Sequence, residues 1–306
     1  MTTQWTALFS GQGQQFAGMG ADLLAQEPRY QAVVQAASET LHLQLADPAV
    51  WDDPVNAPVA IVTLSLGVYQ VLRQDLPLPQ AGIGLSLGEY SALAASGMLS
   101  LADVFPLVQD RAAYMNEAGA KHPGVMAAVL RASATMVEEA CAAATAAGTP
   151  VFPANFNTPA QTVIGGSAAG VTAVTQALKA QGVKRIVPLK MTVASHTPLM
   201  AEASMKLGQR LAHSHIQSAQ FPVWSNTTQQ PFTADTVTQT LTDQLVHPTH
   251  FGTCLKNAQP TTVIEVGPGT ALTKFAAKTI PGMTAWHVDS MTTLNELRKN
   301  WSETNE

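Results

Sequence analysis

Ala81-Gly82-Ile83-Gly84-Leu85-Ser86-Leu87-Gly88-Glu89 is the stretch on which the fold class turns. Residues 81–85 are small or apolar and read as a short buried strand. The run from about Leu87 to Met98 reads as a helix. The serine falls at the turn between them. Gly84-Leu85-Ser86-Leu87-Gly88 fits the pattern G-x-S-x-G, a sharp strand-to-helix turn that leaves the serine hydroxyl exposed at the carboxyl edge of a sheet. Its two glycines have no Cβ, so strand and helix can approach closely. The helix N-terminus adds partial positive charge, and the next backbone N–H points to where an oxyanion would form. The plain alternative is a glycine-rich turn capped by a serine. The strand before and the helix after, both required by the motif, favour a nucleophile.

Reading outward, Trp5 to Ser10 looks like a buried strand that ends in the loop Gly11-Gln12-Gly13-Gln14-Gln15. Asp22 to Leu45 is helical in pattern, Ala57 to Leu72 is a long apolar helix, and Asp103 to Ala118 is another helix, carrying Arg111. The pattern then changes. Val125–Leu130 (strand), Ala134–Ala147 (helix), Val151–Asn157 and Thr162–Gly165 (strands), Ala169–Gln181 (helix) and Lys184–Lys190 (strand) give the order β-α-β-β-α-β, a ferredoxin-like unit. Beyond it come a helix from Pro198 to Ala212, a strand from Phe221 to Asn226 and helices at Thr236–Leu245 and Phe251–Ala258. The strand Thr262–Val266, the helix Ala271–Lys278 and a last strand near Ala285–Val288 follow, with Glu303–Glu306 expected to fray. Strands alternating with helices on both sides of the insertion predict an α/β-hydrolase-like domain with a mostly parallel sheet. Its predicted limits are 1–122 and 192–306, with residues 123–191 as the inserted subdomain.

Composition narrows the function. The chain has 306 residues, 46% of them hydrophobic and only 12% charged, with a net charge of −5. Disorder and nucleic-acid binding fit this poorly. Met1 to Trp5 carries no basic residue, and no apolar run of 18 residues stands out, so a soluble, cytoplasmic chain without a membrane span is expected. Cys141 and Cys254 form no CxxC pair and read as buried, reduced side chains. His213 with His215, and His247 with His250, lack carboxylate or Cys companions, so no metal is expected. Gly11-Gln12-Gly13 lacks the third glycine of a dinucleotide site, and no cofactor is expected.

A serine nucleophile needs a base. His196 stands out in Val193-Ala194-Ser195-His196-Thr197-Pro198-Leu199-Met200, a loop at the seam where the inserted unit rejoins the larger domain. Seams of this kind form clefts. The bland reading is a helix-capping or surface histidine.

Several blocks together resemble the malonyl-CoA:acyl-carrier-protein transacylases of bacterial fatty acid synthesis. They are Phe9-Ser10-Gly11-Gln12-Gly13-Gln14-Gln15, Gly84 through Leu93, and Gln109-Asp110-Arg111 with Met115. The later blocks are Asn155 through Gly166, Ser195 through Met200, and Glu265-Val266-Gly267-Pro268-Gly269 through Leu272-Thr273. The resemblance runs in order from about residue 5 to 290. It implies Ser86 as the acylated nucleophile, His196 as its base and then acid, and Arg111 as the clamp on the malonyl carboxylate. It implies an oxyanion hole of Gln12 and the Leu87 N–H, and a backbone carbonyl of Gln244 that orients His196. Asn157 is placed at the pocket edge. From spacing alone, Arg111 would be an exposed helix residue paired with Asp110 or Glu117. The implied partners are malonyl-CoA and acyl carrier protein. An acidic carrier would need a basic patch, for which Lys184, Arg185 and Lys190 are candidates. Many members have His before the nucleophile, where this chain has Leu85. Three rival readings are weaker or undecided. A hydrolase of the same motif would need His287 with Asp289 or Glu265, whose order is wrong or whose neighbourhood gives no support. A non-catalytic carrier-docking module is opposed by Ser86, Arg111 and His196 together. A transacylase serving malonate decarboxylation or a polyketide pathway stays open.

Overall fold

The computed structural model describes residues 4–191 and 193–305. Met1–Thr3, the expected re-entry point Thr192 and Glu306 lie outside the described residues. Nine strands are described: β1 Thr6–Phe9, β2 Ala81–Gly84, β3 Val125–Leu130, β4 Val151–Thr158, β5 Gln161–Gly166, β6 Arg185–Pro188, β7 Val223–Trp224, β8 Thr262–Val266 and β9 Thr284–Val288. They form two sheets.

The larger sheet has the order β7-β2-β1-β8-β9, and every neighbouring pair is parallel. The expectation of an α/β fold with a parallel sheet is borne out. β1, β2 and β8 are buried along their whole length. This follows from helices covering both faces, which makes such strands continuous apolar runs.

The helix Ala57–Asp75 is buried along nearly all its sides. Together with the turn before it, the stretch Pro54–Asp75 is long and apolar enough to cross a membrane, with a mean hydropathy of 1.6. This corrects the expectation that no such run exists; Thr63, Ser65, Gly67 and Tyr69 break up the pattern to the eye. The fold buries 78% of that window, so the stretch serves as a core helix. A helix apolar on all sides belongs either in lipid or in the middle of a large protein.

The smaller sheet has the order β4-β5-β3-β6 and is antiparallel throughout. Side chains on β3 alternate, as the pleat requires. Ala127 and Val129 pack with Val137, Cys141, Val174 and Leu178 of the two helices on one face. Met126 and Ala128 pack with Ala154 and Val163 on the other face. Main-chain bonds fasten this sheet to the segment around Thr249. Phe156 N–H donates to the Thr249 carbonyl at 2.7 Å, and Thr249 N–H donates to the Ala154 carbonyl at 2.9 Å.

Some local expectations need correction. Only Val223–Trp224 of the expected strand Phe221–Asn226 pairs, because the chain turns back after Ser225, with Gln229 N–H bonded to the Ser225 carbonyl. The strand Lys184–Lys190 is shorter, Arg185–Pro188, and lies at the sheet edge, where a proline is tolerated. The helix expected from Pro198 starts as a 3-10 turn, Pro198–Met200, before Ala201–Leu211. The tail does not fray at Glu303: a helix runs Met291–Asn305, with Leu294 and Leu297 buried against the core. Ser290 Oγ caps it by accepting from Thr293 N–H at 3.3 Å. Both cysteines are free and buried.

Candidate active site

β2 ends at Gly84, the chain turns through Leu85-Ser86-Leu87, and a helix begins at Gly88. A Cβ at Gly84 would overlap the backbone of Gly88 and Glu89, and one at Gly88 would overlap the Phe9 carbonyl. No residue but glycine fits either place. Ser86 sits at φ 53°, a left-handed conformation unusual for a residue with a side chain. His196, 110 residues later, sits at φ 61°. Strain of this kind persists only where the surroundings over-determine it, and it clusters at functional sites.

The two strained residues meet. His196 Nε2 lies 2.7 Å from Ser86 Oγ, and His196 Nδ1 lies 2.7 Å from the Gln244 carbonyl. A carbonyl only accepts, so Nδ1 carries the proton and Nε2 is bare toward the serine hydroxyl. Burial pushes the His196 pKa down to about 4, with a further push from the Arg111 charge; the bond to the Gln244 carbonyl partly offsets it. The imidazole is therefore neutral near pH 7 and can take the Ser86 proton.

Arg111 is 1% exposed, not the surface residue that spacing alone suggests. Its Nη2 donates to Ser86 Oγ and to Gln244 Oε1, each at 3.2 Å. Its guanidinium lies 5.3 Å from the centre of the Tyr90 ring, and its Nε has no partner. Asp110 instead pairs with Arg210, and Glu117 with Lys206 and Lys121. A buried, partly unpaired guanidinium beside a serine hydroxyl has the geometry to take a carboxylate in a two-pronged bond.

The site opens into a cleft of about 420 Å³ between the two sheets. Gln12 lines it and is exposed, with its side-chain amide free among the described residues. The Leu87 N–H also has no acceptor among the described residues, so both expected oxyanion donors are available. Asn157 lines the cleft as expected, buried, with an unpartnered Oδ1. Leu85 lines the cleft and packs against the Phe251, Leu255 and Leu272 cluster, so it serves as apolar wall. Lys190 is at the cleft, whereas Lys184 and Arg185 are exposed on or next to β6.

Two residues the sequence reading left unassigned complete the site. Asn226 Oδ1 accepts from Ser86 N–H at 3.3 Å. Glu89, 0% exposed, accepts from Asn226 N–H and from Gln244 Nε2. Glu89 stood in the quoted motif, but its partners lie 137 and 155 residues away, which no local pattern reveals. The residues proposed for the rival hydrolase are engaged elsewhere: Glu265 caps the helix Ala271–Thr279 and Asp289 accepts from Gly269 N–H.

Residues 6–305 match the acyl transferase domain family. The malonyl CoA-acyl carrier protein transacylase of Bacillus subtilis is 36% identical over 282 residues, covering 89% of each chain. A crystal structure of the Streptococcus pneumoniae enzyme superposes with a TM-score of 0.92 at 35% identity, covering 97% of this chain and 100% of that one. A malonyl-transacylase solved in complex with its type II polyketide synthase acyl carrier protein superposes with a TM-score of 0.91 at 29% identity, covering 97% of this chain and 100% of that one. With its serine, histidine and buried arginine meeting at one cleft, this chain belongs to the malonyl CoA-acyl carrier protein transacylase family of acyl transferases.

Proposed function

We propose that this protein transfers the malonyl group from malonyl-CoA to the phosphopantetheine thiol of an acyl carrier protein, through a malonyl ester on Ser86. The observation that carries the reading is the 2.7 Å contact of His196 Nε2 with Ser86 Oγ, with Arg111 buried beside it. Ser86 Oγ gives its proton to His196 Nε2 and attacks the thioester carbonyl. The Leu87 N–H and the Gln12 amide receive the oxyanion, each donor contributing about 10²–10³ in turnover. The C–S bond breaks and the imidazolium returns the proton to the CoA sulfur. The carrier thiol then gives its proton to His196 and attacks the ester. The ester C–O bond breaks and Ser86 regains its hydrogen. Arg111 holds the malonyl carboxylate, which acetyl lacks, and Asn157 lies at the edge of that pocket. The relative solved with its carrier protein supports the acceptor.

The same reading covers the architecture. Residues 1–122 with 192–306 form a hydrolase-like catalytic domain, and residues 123–191 a ferredoxin-like insert; the antiparallel order β4-β5-β3-β6 supports the second assignment. The exposed Lys184 and Arg185, with Lys190 at the cleft, form the face for an acidic carrier. The expected compartment is the cytoplasm, where fatty acid synthesis of this type runs. The test is intact mass after mixing with malonyl-CoA. A malonyl adduct on the wild type, absent from Ser86→Ala and discharged by holo carrier protein, is expected. An adduct lost to water at the same rate with or without the carrier would sink transfer in favour of hydrolysis.

A further inference from the structure

Ser86, His196 and Arg111 come from three distant parts of the chain, and something must hold them in register. Gln244 touches all three, and Asn226 holds the first. Gln244 takes the His196 Nδ1–H on its carbonyl, takes an Arg111 N–H on Oε1, and donates from Nε2 to the Ser86 carbonyl at 3.1 Å. Asn226 takes the Ser86 N–H on Oδ1. Both groups converge on one carboxylate: Glu89 Oε1 accepts from Asn226 N–H and Glu89 Oε2 from Gln244 Nε2.

We propose that Glu89 is a positioning residue that sets the nucleophile, the base and the carboxylate clamp together, through Asn226 and Gln244 and without touching substrate. The proposal rests on the acyl-transfer reading of the site. Its logic is one of donors and acceptors. Asn226 N–H and the Gln244 amide nitrogen can only donate, so the group between them must accept on both sides; an ionised carboxylate does so with two equal oxygens, whereas an amide sets an NH₂ against one donor and a protonated acid leaves one oxygen as a hydroxyl, a poorer acceptor. Fixing the Gln244 nitrogen on Glu89 also fixes which way its amide faces, and so presents oxygen to Arg111. Arg111 has no carboxylate within ion-pair distance among the described residues. Glu89 is a buried carboxyl one amide away from it, through Gln244.

A role that was only structural would affect folding and leave the chemistry alone, so the readout is Ser86 reactivity. A fluorophosphonate probe labels an activated serine and needs neither malonyl-CoA nor carrier. Glu89→Gln keeps the shape and puts an NH₂ against one of the two donors. It should slow labelling per folded molecule by about 10²-fold, the cost of misplacement on the scale of 1 Å. Glu89→Gln combined with Gln244→Ala, which keeps the backbone carbonyl, should be no slower than the slower single variant, because coupled residues do not add.

The pH profile separates the groups. Burial raises the Glu89 pKa to about 7, partly offset by its bonds from Asn226 and Gln244 and by the Arg111 charge. Around it stand Arg111, Tyr90 and Cys254. Tyr90 is pushed up to about 12, burial pushes the Cys254 thiol up, and His196, beyond Gln244, is pushed down to about 4. Labelling of the wild type should therefore fall as pH drops through about 7, and Glu89→Gln should keep only the fall near 4.

Wild-type labelling rates in Glu89→Gln, or multiplicative losses with Gln244→Ala, would overturn the proposal. If Glu89→Gln does not fold, Gln244→Ala decides, since it removes the side chain through which Glu89 reaches Arg111 and the Ser86 carbonyl, and a wild-type labelling rate there overturns the proposal. Normal labelling of the wild type with no malonyl adduct would sink the substrate reading and leave this one standing. No labelling of the wild type removes both.

Discussion

Glu89 and Glu265 are both 0% exposed, and both adjoin the turns that follow strands of the larger sheet. Burial pushes both carboxyls above their ordinary pKa. Their partners differ. Glu265 is satisfied by its own neighbourhood: Leu272 N–H at 3.0 Å, Thr273 N–H at 2.8 Å and Thr273 Oγ1 at 2.9 Å, seven or eight residues on. It closes the open end of one helix, where negative charge is welcome. Glu89 also lies in the first turn of a helix, yet it turns away from that turn to residues more than a hundred positions distant. Two carboxylates of equal burial thus have different work. One ties a strand to the next helix. The other ties together parts of the chain that meet only at the active site.

The contrast can be broken at several points. The largest effect belongs to His196→Ala, which removes the proposed base from the long-range set. Acylation of Ser86 should fall about 10²–10⁴-fold, with the melting temperature nearly unchanged; a comparable loss of stability would mean that His196 holds the fold rather than the reaction. Next comes Arg111→Ala, scored as the ratio of malonyl to acetyl transfer. Breaking a buried charge pair costs about 2–5 kcal/mol, or about 30- to several thousand-fold. An unchanged ratio would remove Arg111 from carboxylate binding. Glu265→Gln should behave oppositely. It should lower stability by about 1–3 kcal/mol through the donors it leaves unpaired, seen by thermal melting, and leave Ser86 labelling unchanged. A slowed rate there would erase the distinction between the two glutamates. The smallest effect is at the surface. Lys184→Glu with Arg185→Glu should raise the KM for the carrier several-fold, in line with about 1 kcal/mol or less per exposed pair, and leave that for malonyl-CoA as it was.

What the sequence made legible followed from distance along the chain. The serine turn was readable because its causes are adjacent: Gly84, Gly88, a strand before and a helix after. The order of strands and helices in the smaller sheet was readable for the same reason. The burial of Arg111 was not, since its helix places Asp110 and Glu117 near it in sequence, while the fold turns those outward to Arg210, Lys206 and Lys121. Resemblance supplied what spacing could not. The C-terminal helix was missed although its signal was present: a Ser290 cap, then Leu294, Leu297 and Trp301 on one face, diluted by polar neighbours. Glu89 and Asn226 had no local signal, because their partners are assembled only by the parallel sheet.

Thr249 is 0% exposed, and both its N–H and its carbonyl are bonded to β4. It lies five residues beyond Gln244, on the same stretch that orients His196. The smaller unit is therefore no detachable cassette. A graft that swapped it for the equivalent piece of another protein would have to supply a donor and an acceptor in the same register. Otherwise it would strand two buried backbone groups, at about 1–3 kcal/mol each, next to the segment that holds His196. Chimeras of this enzyme should be cut so that Thr249 travels with its strand.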